Sequence, residues 1–453
     1  MTAREGRLGR NYAKLWTASV VSNLGDGIDN AALPLLAEAL TRDPLLFAGV
    51  AVANRLPWLL LSLHAGAIAD RVDRRRLMIV SNVARFALMS ALGVAVVTDT
   101  ANIWLLYVVA LGLGSFEVLF DNAAQTIMPS VIPRDQLERG NGRLFAGEIV
   151  TNQFAGPPLG AFLFGITAAL PILLDAGTFL ISAGLIAAMT GTYRSGRTRI
   201  ERLADDGGPA PLDPLGGGDE VVVVNPVTGP APSAGSPARS RPRMSTEIRQ
   251  GLAWLWQHRL LRTLAILLAA MNGTTMIGMS IFTLYVYGDG SILGLDPIGY
   301  GFLLLSAAGG SLLGGLAAER LVPRVGSGRA LWLTLLATVA VPLAIGLTST
   351  VWVVVTAQVV FGFSSVVWNV VTVSLRQAII PDELLGRVNS VYRFLGWGAM
   401  PVGSLIGGLV AGSVGLRAPF LVAAGLMACA LVIGLRTITS AEIDRARDGL
   451  PAT

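Results

Sequence analysis

Apolar runs of similar length follow one another along the chain. Each is about 20 residues long, the length that a helix needs to cross the hydrocarbon core of a bilayer. The twelve runs cover residues 15–38, 45–69, 77–97, 102–125, 144–167, 171–192, 262–286, 298–318, 329–347, 351–374, 392–413 and 418–436. Their hydrophobicity is too continuous for the alternating strands of a membrane β-barrel. The pattern therefore predicts an all-α integral membrane protein with twelve transmembrane helices.

The second half of the chain repeats the first. Gly-Ala-Ile-Ala-Asp-Arg at 66–71 returns as Gly-Leu-Ala-Ala-Glu-Arg at 315–320, and the Ile-Pro pair at 132–133 returns at 380–381. Duplicated membrane bundles place their ligand between the halves, near the middle of the bilayer. We therefore predict two pseudo-symmetric six-helix bundles, the first within residues 1–193 and the second within 244–436.

Two segments lie outside the bundles. Residues 194–243 are rich in Pro, Gly, Asp and Arg and have no helical period, which predicts a flexible cytoplasmic linker. Residues 437–453 are expected to form a cytoplasmic tail. After the linker, Ser245 is a plausible N-cap, and apolar residues from Ile248 onward follow helical spacing. This pattern predicts an amphipathic helix on the membrane surface that leads into the seventh span.

Arginine marks alternate loops. The connections after helices 2, 4, 6, 8 and 10 are rich in Arg, whereas the connections between them hold only Arg42 and Arg417. By the positive-inside rule, both termini and the linker lie in the cytoplasm, and the protein lies in the cell membrane. The net charge of +5 is thereby explained without nucleic-acid binding, since no basic patch is interleaved with aromatic residues.

Composition excludes several other classes. A chain that is 53% hydrophobic and 14% charged is not an ordinary soluble protein. Cys429 is the only cysteine, so a disulfide within one chain is excluded, and there are two histidines. The sequence contains no Ser/His/Asp set, metal-ligand cluster or phosphate-binding glycine loop. We therefore expect no enzyme activity, no metal site and no cofactor.

Charged residues inside the spans are the candidates for chemistry, because each costs about 2.5–3.5 kcal/mol near the bilayer centre. The candidates for proton coupling are Asp26, Asp29, Arg55, Glu117, Asp121 and Glu148. The equivalent positions of the second half are neutral, and the acids outnumber Arg55 and Arg85. A surplus buried carboxylate can bind and release a proton during transport. Alternatively, each acid only pairs with Arg55 or Arg85 to hold the bundle together, or Asp29 lies solvated near the outer interface.

Neutral and aromatic residues expected at the interface of the halves are candidates for substrate contact. They are Asn23, Trp58, Phe116, Asn272, Thr275, Trp368, Asn369 and Trp397. Aromatic side chains suit a bulky, amphipathic small molecule because they offer apolar contact to ligands bound in different positions. The alternative for each aromatic residue is that it packs within the protein or faces lipid.

The loop between helices 2 and 3 carries Gly66, Asp70, Arg71, Arg74 and Arg75 at the spacing Gly-x-x-x-Asp-Arg-x-x-Arg-Arg. Its degenerate second copy includes Glu319 and Arg320. At these residues the chain resembles the major facilitator superfamily, although Asp73 replaces the second glycine of that motif. The resemblance implies that the motif gates the cytoplasmic side. The alternative is that its arginines only signal topology.

Three further segments narrow the resemblance. Residues 15–16 and 22–26, and the segment 248–262 before helix 7, are similar to the exporter branch that contains macrolide-efflux and enterobactin-export proteins. Residues 156–161, Gly-Pro-Pro-Leu-Gly-Ala, resemble the tail of the antiporter motif, whose upstream glycines are here Arg143 and Asn152. The resemblance implies alternating access and proton-driven efflux of a drug-, macrolide- or siderophore-like molecule.

The expected partners are therefore the substrate, protons and the lipid bilayer, and we expect a monomer. A nutrient or metabolite importer of the same fold is the first alternative to an exporter. A non-transporting membrane receptor or assembly partner is the second, and a membrane-embedded enzyme the third. A pure scaffold would gain nothing from charged residues inside its spans, which favours transport.

Overall fold

The structure, a computed structural model, describes residues 8–133, 136–190, 193, 244–434 and 445. In the first half the helices are α1 (Arg10–Leu40), α2 (Pro44–Arg71), α3 (Arg74–Val97), α4 (Ile103–Val131), α5 (Leu137–Glu148), α6 (Gly156–Ile166) and α7 (Ala169–Ala187). A π-helical segment, Ile149–Ala155, joins α5 to α6 without a break. Asp73 and Asn102 cap α3 and α4, since their side chains accept from the backbone N–H of Arg76 and Leu105 at 3.0 Å each.

The second half has the same order of long helices. They are α8 (Met244–Gln257), α9 (Arg259–Met279), α10 (Phe282–Val286), α11 (Pro297–Val325), α12 (Ser327–Leu347), α13 (Val351–Ile379), α14 (Asp382–Val414) and α15 (Ala418–Gly434). Asp296 caps α11 by accepting from Gly299 N–H at 2.7 Å, and Pro297 occupies the first helical position, where no N–H is needed.

The all-helical membrane fold predicted from the apolar runs is confirmed. Nine helices within the described residues are long and apolar enough to cross a membrane. The exact count of twelve spans stays a prediction. Two predicted continuous spans are interrupted. Residues 144–167 pass through the π-helical segment, and residues 262–286 break at Ser280 and Ile281 between α9 and α10. Such breaks occur where membrane helices line a cavity or a site.

The helix before the seventh span exists, but it begins two residues earlier than an N-cap at Ser245 predicts. It begins at Met244, so Ser245 lies inside the helix rather than at its cap. Leu255 is fully buried in the core of the second half, and Trp254 packs against the same core. Trp256 is exposed. One face of α8 therefore packs on α9 and α14, in addition to any contact that it makes with the membrane surface.

The two halves share a core at one end of the molecule. Where α1 and α2 join, one buried cluster combines Leu35 and Ala48 of the first half with Phe282 and Tyr285 of the second, and another combines Leu36 with Leu284. At the opposite end, the two described clusters each belong to a single half, one formed around Met78 and Ile127, the other around Leu264 and Trp368. The halves are thus packed together at the α1–α2 end.

Small residues make this closure tight. A Cβ added at Gly408 of α14 would lie 2.7 Å from the Cβ of Ala48 on α2, and one at Gly301 of α11 would lie 2.8 Å from the Cβ of Ala161 on α6. Helices approach this closely only where side chains are absent or small. The contacts α2–α14 and α6–α11 are therefore the seams between the halves.

Candidate functional site

A cavity of about 430 Å³ lies between the two halves. Its walls come from α1, α2, α3, α4 and the π-helical segment on one side, and from α9, α10 and α11 on the other. The charged lining residues are Asp26, Asp29, Arg55, Arg85, Glu117 and Glu148. Phe47, Met276, Met279 and Phe282 add apolar surface. Four carboxyl groups thus face two guanidinium groups, and all six belong to the first half.

Arg85 of α3 is the cation at the centre of the acidic cluster. Its side chain is 3% exposed and forms a salt bridge with Asp26 of α1 through Nη2. The guanidinium carbon also lies 4.0 Å from the centroid of the Phe179 ring on α7. The ion pair and the aromatic face together offset part of the cost of burying this charge. Arg55 lines the same cavity, but the described residues show no salt bridge for it.

Asp29 is buried, so the alternative that it is merely solvated near the outer interface is wrong. Its side chain is 9% exposed, its Oδ1 atom has no hydrogen-bond partner among the described residues, and it interacts electrostatically with the carboxyl group of Asp175, on α7. Sequence reasoning missed Asp175. The available signal was a single charge in an otherwise uncharged span, Ala169–Ala187.

The remaining acidic candidates surround this group. Glu117 and Asp121 stand one turn apart on α4, and both interact electrostatically with Asp26 and Arg85. Glu148 lies at the start of the π-helical segment and is exposed to the cavity. The structure therefore brings the five predicted acids and Asp175 together around one arginine.

The π-helical segment connects the cluster to α1. Asn152, within it, accepts from the Asn30 side chain at 3.1 Å. A Cβ added at Gly27 would lie 2.7 Å from the Thr151 carbonyl oxygen, so α1 touches the backbone of the widened turn. A π turn has one more residue than an α turn and is frequent at functional sites.

Two of the aromatic candidates meet across the seam between the halves. The rings of Trp58 on α2 and Trp397 on α14 have centroids 4.4 Å apart and an interplanar angle of 52°. Trp397 packs against the buried pair formed by Trp58 and Val118. The Trp58 indole N–H is buried and has no acceptor among the described residues. These tryptophans form a contact between the halves.

The other substrate-contact candidates are dispersed. Trp368 is buried within the core of the second half, away from the cavity lining. Asn369 is exposed on α13, and Thr275 lines a separate small cavity inside the second half. Asn272 donates to the Gly396 carbonyl at 3.0 Å and ties α9 to α14. Asn23 donates to the Ser19 carbonyl at 2.9 Å, one turn back on α1. Phe116 is half-buried on α4.

The motif between α2 and α3 is partly described. Arg74 Nη1 donates to the Thr126 carbonyl at 2.8 Å, near the end of α4, and Arg75 Nε donates to the Ile186 carbonyl at 3.1 Å, at the end of α7. The Ile186 carbonyl is one of the last four of α7, where a guanidinium group can supply the donor that the helix lacks. The contacts described for both arginines therefore lie within the first half.

The rest of the motif gives less information. The surroundings of Gly66 and the side chains of Asp70 and Arg71 lie outside the described part of the structure. In the second copy, Glu319 and Arg320 are both exposed. The gating role of the motif stays a prediction.

Among the described residues, no group of three or more His, Cys, Asp or Glu residues is arranged to hold a metal ion.

The sequence matches the Major Facilitator Superfamily over residues 15–402, with a second, overlapping match over 292–450. The chain belongs to this superfamily. It is therefore a membrane transporter and not an enzyme.

Curated relatives of this superfamily member include efflux pumps. The multidrug efflux pump Tap of Mycolicibacterium fortuitum is 28% identical over 419 residues, which cover 89% of this chain and 90% of that protein. Tap of Mycobacterium tuberculosis is 25% identical over 441 residues, covering 95% and 94% of the two chains. The resemblance to an efflux branch of the superfamily is thus confirmed.

Solved structures agree on the fold. A bacterial homologue of the iron transporter ferroportin, in an inward-facing state, superimposes with a TM-score of 0.64 at 16% identity, covering 94% of this chain and 98% of that one. The nucleoside transporter NupG superimposes with a TM-score of 0.65 at 11% identity, covering 94% and 100%. At such identities the likeness concerns architecture alone.

Proposed function

We propose that this superfamily member is a proton-coupled exporter of amphipathic small molecules, and that it favours organic cations. The observation that carries the proposal is the cavity between the halves, in which four carboxyl groups face two guanidinium groups. The relatives that are multidrug efflux pumps support the direction of transport. The cell membrane is the proposed location, with both termini in the cytoplasm, and the monomer is the proposed transporting unit.

The charge of the cavity supports the preference for cations. An excess of carboxylates attracts a positive ligand and repels an anion, and the low dielectric of a membrane protein strengthens both effects. Phe47, Met279 and Phe282 supply apolar contact for the rest of the molecule. Methionine side chains adapt to ligands of different shape, which suits a pump with several substrates. Siderophore-like anions are less compatible with this lining than basic drugs.

Alternating access supplies the transport cycle. The shared core at the α1–α2 end and the separate cores at the other end fit a state closed towards the outside and ready to separate at the cytoplasmic face. Residues 1–193 and 244–436 are the proposed rigid halves, joined by the linker 194–243. Movement of one half against the other would expose the cavity to each side in turn.

Coupling requires that binding of protons and binding of substrate exclude one another. A cation that enters the cavity favours ionised carboxyl groups, and protonation of those groups weakens its binding. Asp26 forms a salt bridge with Arg85 and also lines the cavity. A change in its charge therefore affects both the bound substrate and the packing of the first half. Asp121 extends the cluster along α4 towards the opposite end of the molecule.

The experiment uses inside-out membrane vesicles that contain the full chain. An exporter accumulates a fluorescent organic cation such as ethidium when the vesicle lumen is acidified. We expect Asp26→Asn and Asp121→Asn to bind ethidium still, though more weakly than the unmodified protein, and to lose accumulation driven by the pH gradient. Asp99→Asn, outside the helices, is the matched control and should transport like the unmodified protein. Full accumulation by both single variants and the double variant would contradict the coupling role.

The same vesicles separate export from import. An importer of the same fold would release preloaded substrate under the acid-inside gradient rather than collect it. A receptor that does not transport would show binding without accumulation under either gradient. Accumulation that follows a Na⁺ gradient and ignores the pH gradient would show that the coupling ion is not a proton.

A further inference from the structure

Asp175 occupies a site that the surrounding helices leave open for a carboxyl group. It lies in α7 and is fully buried. A Cβ added at Gly25 of α1 would lie 1.8 Å from Asp175 Oδ1, so only glycine at this position of α1 admits the carboxyl group. Thr178 Oγ1 donates to the same oxygen at 2.9 Å. The packing of α1 on α7 is therefore built around this acid.

The second carboxyl group of the site comes from α1. Asp29 lies one turn along α1 from Gly25, the residue against which Asp175 packs. Asp29 Oδ1 and Asp175 Oδ2 are both buried, and neither has a hydrogen-bond partner among the described residues. Two ionised carboxylates close together in a low-dielectric interior repel each other. One proton on the pair halves the buried charge and supplies a hydrogen-bond donor.

We propose that the Asp29–Asp175 pair holds one exchangeable proton and is the proton-carrying site of the transporter. The inference rests on the proposed function and adds to it a residue, Asp175, that lies outside the cavity lining. Asp29 lines the cavity, whereas Asp175 is enclosed, so Asp29 is the route by which the proton enters and leaves.

The neighbouring charges connect this pair to the rest of the cluster. The charged groups that act on the pair are Asp26 on α1 and Arg85 on α3. Glu117 and Asp121 on α4 act in turn on Asp26 and Arg85, and Glu148 at the π-helical segment acts on Asp121. Arg85 is the cation placed between Asp26 and α7, since it pairs with Asp26 and stacks on Phe179, one turn from Asp175. Loss of the shared proton raises the negative charge of the pair and draws Arg85 away from Asp26.

The pair exchanges one proton for one monovalent organic cation. When the cation enters from the cytoplasm, the O–H bond of the protonated carboxyl group breaks and the proton passes to water in the cavity. The pair then carries two negative charges, one of which the cation compensates. After the cation leaves on the outer side, one carboxylate takes a proton from water and the pair returns to a single negative charge.

The test uses purified full-length protein in proteoliposomes with ethidium as the probe. One exchanged proton supports about tenfold accumulation for each pH unit of gradient. We expect Asp29→Asn, Asp175→Asn and the double variant to fall to the level of protein-free liposomes. Each should still exchange labelled for unlabelled ethidium without a gradient, which shows that it is folded. Asp175→Glu, which keeps the acid, should recover part of the accumulation, and Asp99→Asn should not differ from the unmodified protein.

A second measurement is independent of transport. In detergent at neutral pH, the carboxylic acid C=O band in the infrared spectrum should shift in D₂O and should lose intensity in Asp175→Asn and in Asp29→Asn. Ethidium binding should release about one proton per unmodified chain, as expected for one protonated pair, and none in either variant. If the unmodified protein is driven by pH and Asp175→Asn matches it, the inference is wrong and the proposed function stands. If the unmodified protein ignores the pH gradient, both are wrong.

Discussion

Arg85 is a buried cation that compensates part of the negative charge in the first half. It forms a salt bridge with Asp26 and contacts the Phe179 ring, and it is almost completely enclosed. Removing one member of a buried ion pair leaves the other without compensation, which is far more harmful than never having the pair. Arg85 therefore has both a structural and an electrostatic effect on the cavity.

Replacement of Arg85 measures this effect. Arg85→Ala should lower the free energy of unfolding by about 3–5 kcal/mol, seen as a lower melting temperature in detergent and poorer expression. Adding Asp26→Asn should restore part of the loss, because the unpaired charge is then absent. Arg55→Ala is the control, since Arg55 lines the same cavity without a described salt bridge. Strictly additive losses for Arg85→Ala and Asp26→Asn would show that the two residues do not interact.

At this scale the sequence singled out acids that the structure places in one cluster, and it left their partners open. Charges inside apolar helices stand out in any sequence, so Asp26, Asp29 and Glu117 could be found. The choice of Arg85 over Arg55 as the partner of Asp26 depends on how α1, α3 and α7 face one another, which helical periodicity does not give. Asp175 was not predicted because it is the single charged residue of its helix and belongs to no polar stripe.

At the scale of the elements, α6 packs against α1 through glycine residues. Gly156 and Gly160 face α1 at Gly27 and Ile28, and a Cβ added at Gly160 would lie 2.3 Å from the Ile28 carbonyl oxygen. The same segment carries the likeness to the antiporter motif. Its glycines permit backbone contact between α1 and α6. This contact sets the position of Asp26 and Asp29 along the helix axis, beside the π-helical segment.

A pair of glycine substitutions tests this packing. Gly160→Ala should destabilise the protein, because the added methyl collides with backbone that cannot move aside. Gly177→Ala on α7 is the matched control, since nothing lies within 4 Å of a Cβ there. Alanine is favoured over glycine in a helix by about 1 kcal/mol, so the control should be neutral or stabilised. Equal melting temperatures for the two variants in detergent would contradict the close contact.

Element boundaries were predictable where local chemistry sets them. Asp73, Asn102 and Asp296 cap their helices with short polar side chains, and the apolar runs gave the spans between them. The break at Ser280 and the π-helical turn at Ile149–Ala155 were not predicted. Both interruptions are stabilised by neighbouring helices rather than by the local sequence, so periodicity alone gives a continuous helix.

The arrangement of the whole molecule followed from the duplication, which predicted two halves with a site between them. The state in which the halves lie could not be predicted, because several arrangements bury similar side chains along the same seams. The structure shows packing at the α1–α2 end, where α6 and α11 also meet. The Cβ of a residue at Gly165 would lie 3.7 Å from the Cβ of Pro297.

A disulfide between α6 and α11 tests whether this end of the molecule is closed and whether it has to open for transport. Cβ atoms of a disulfide lie about 3.8 Å apart, so Gly165→Cys with Pro297→Cys should form one without rearrangement. Cys429 is first replaced by alanine, because it is exposed. We expect spontaneous crosslinking, loss of ethidium transport and recovery after reduction, with each single cysteine variant as control. Full transport by the oxidised protein would show that this end does not need to open.

The closed end has a consequence for inhibition. In the proposed orientation, a compound supplied outside the cell meets the packed core of α1, α2, α10 and α11 rather than the acidic cavity. A blocker of this state has to cross the membrane first and approach from the cytoplasm, by the route of a substrate. It is then exposed to expulsion by the pump it is meant to stop. Slow dissociation would therefore matter more to such a compound than equilibrium affinity.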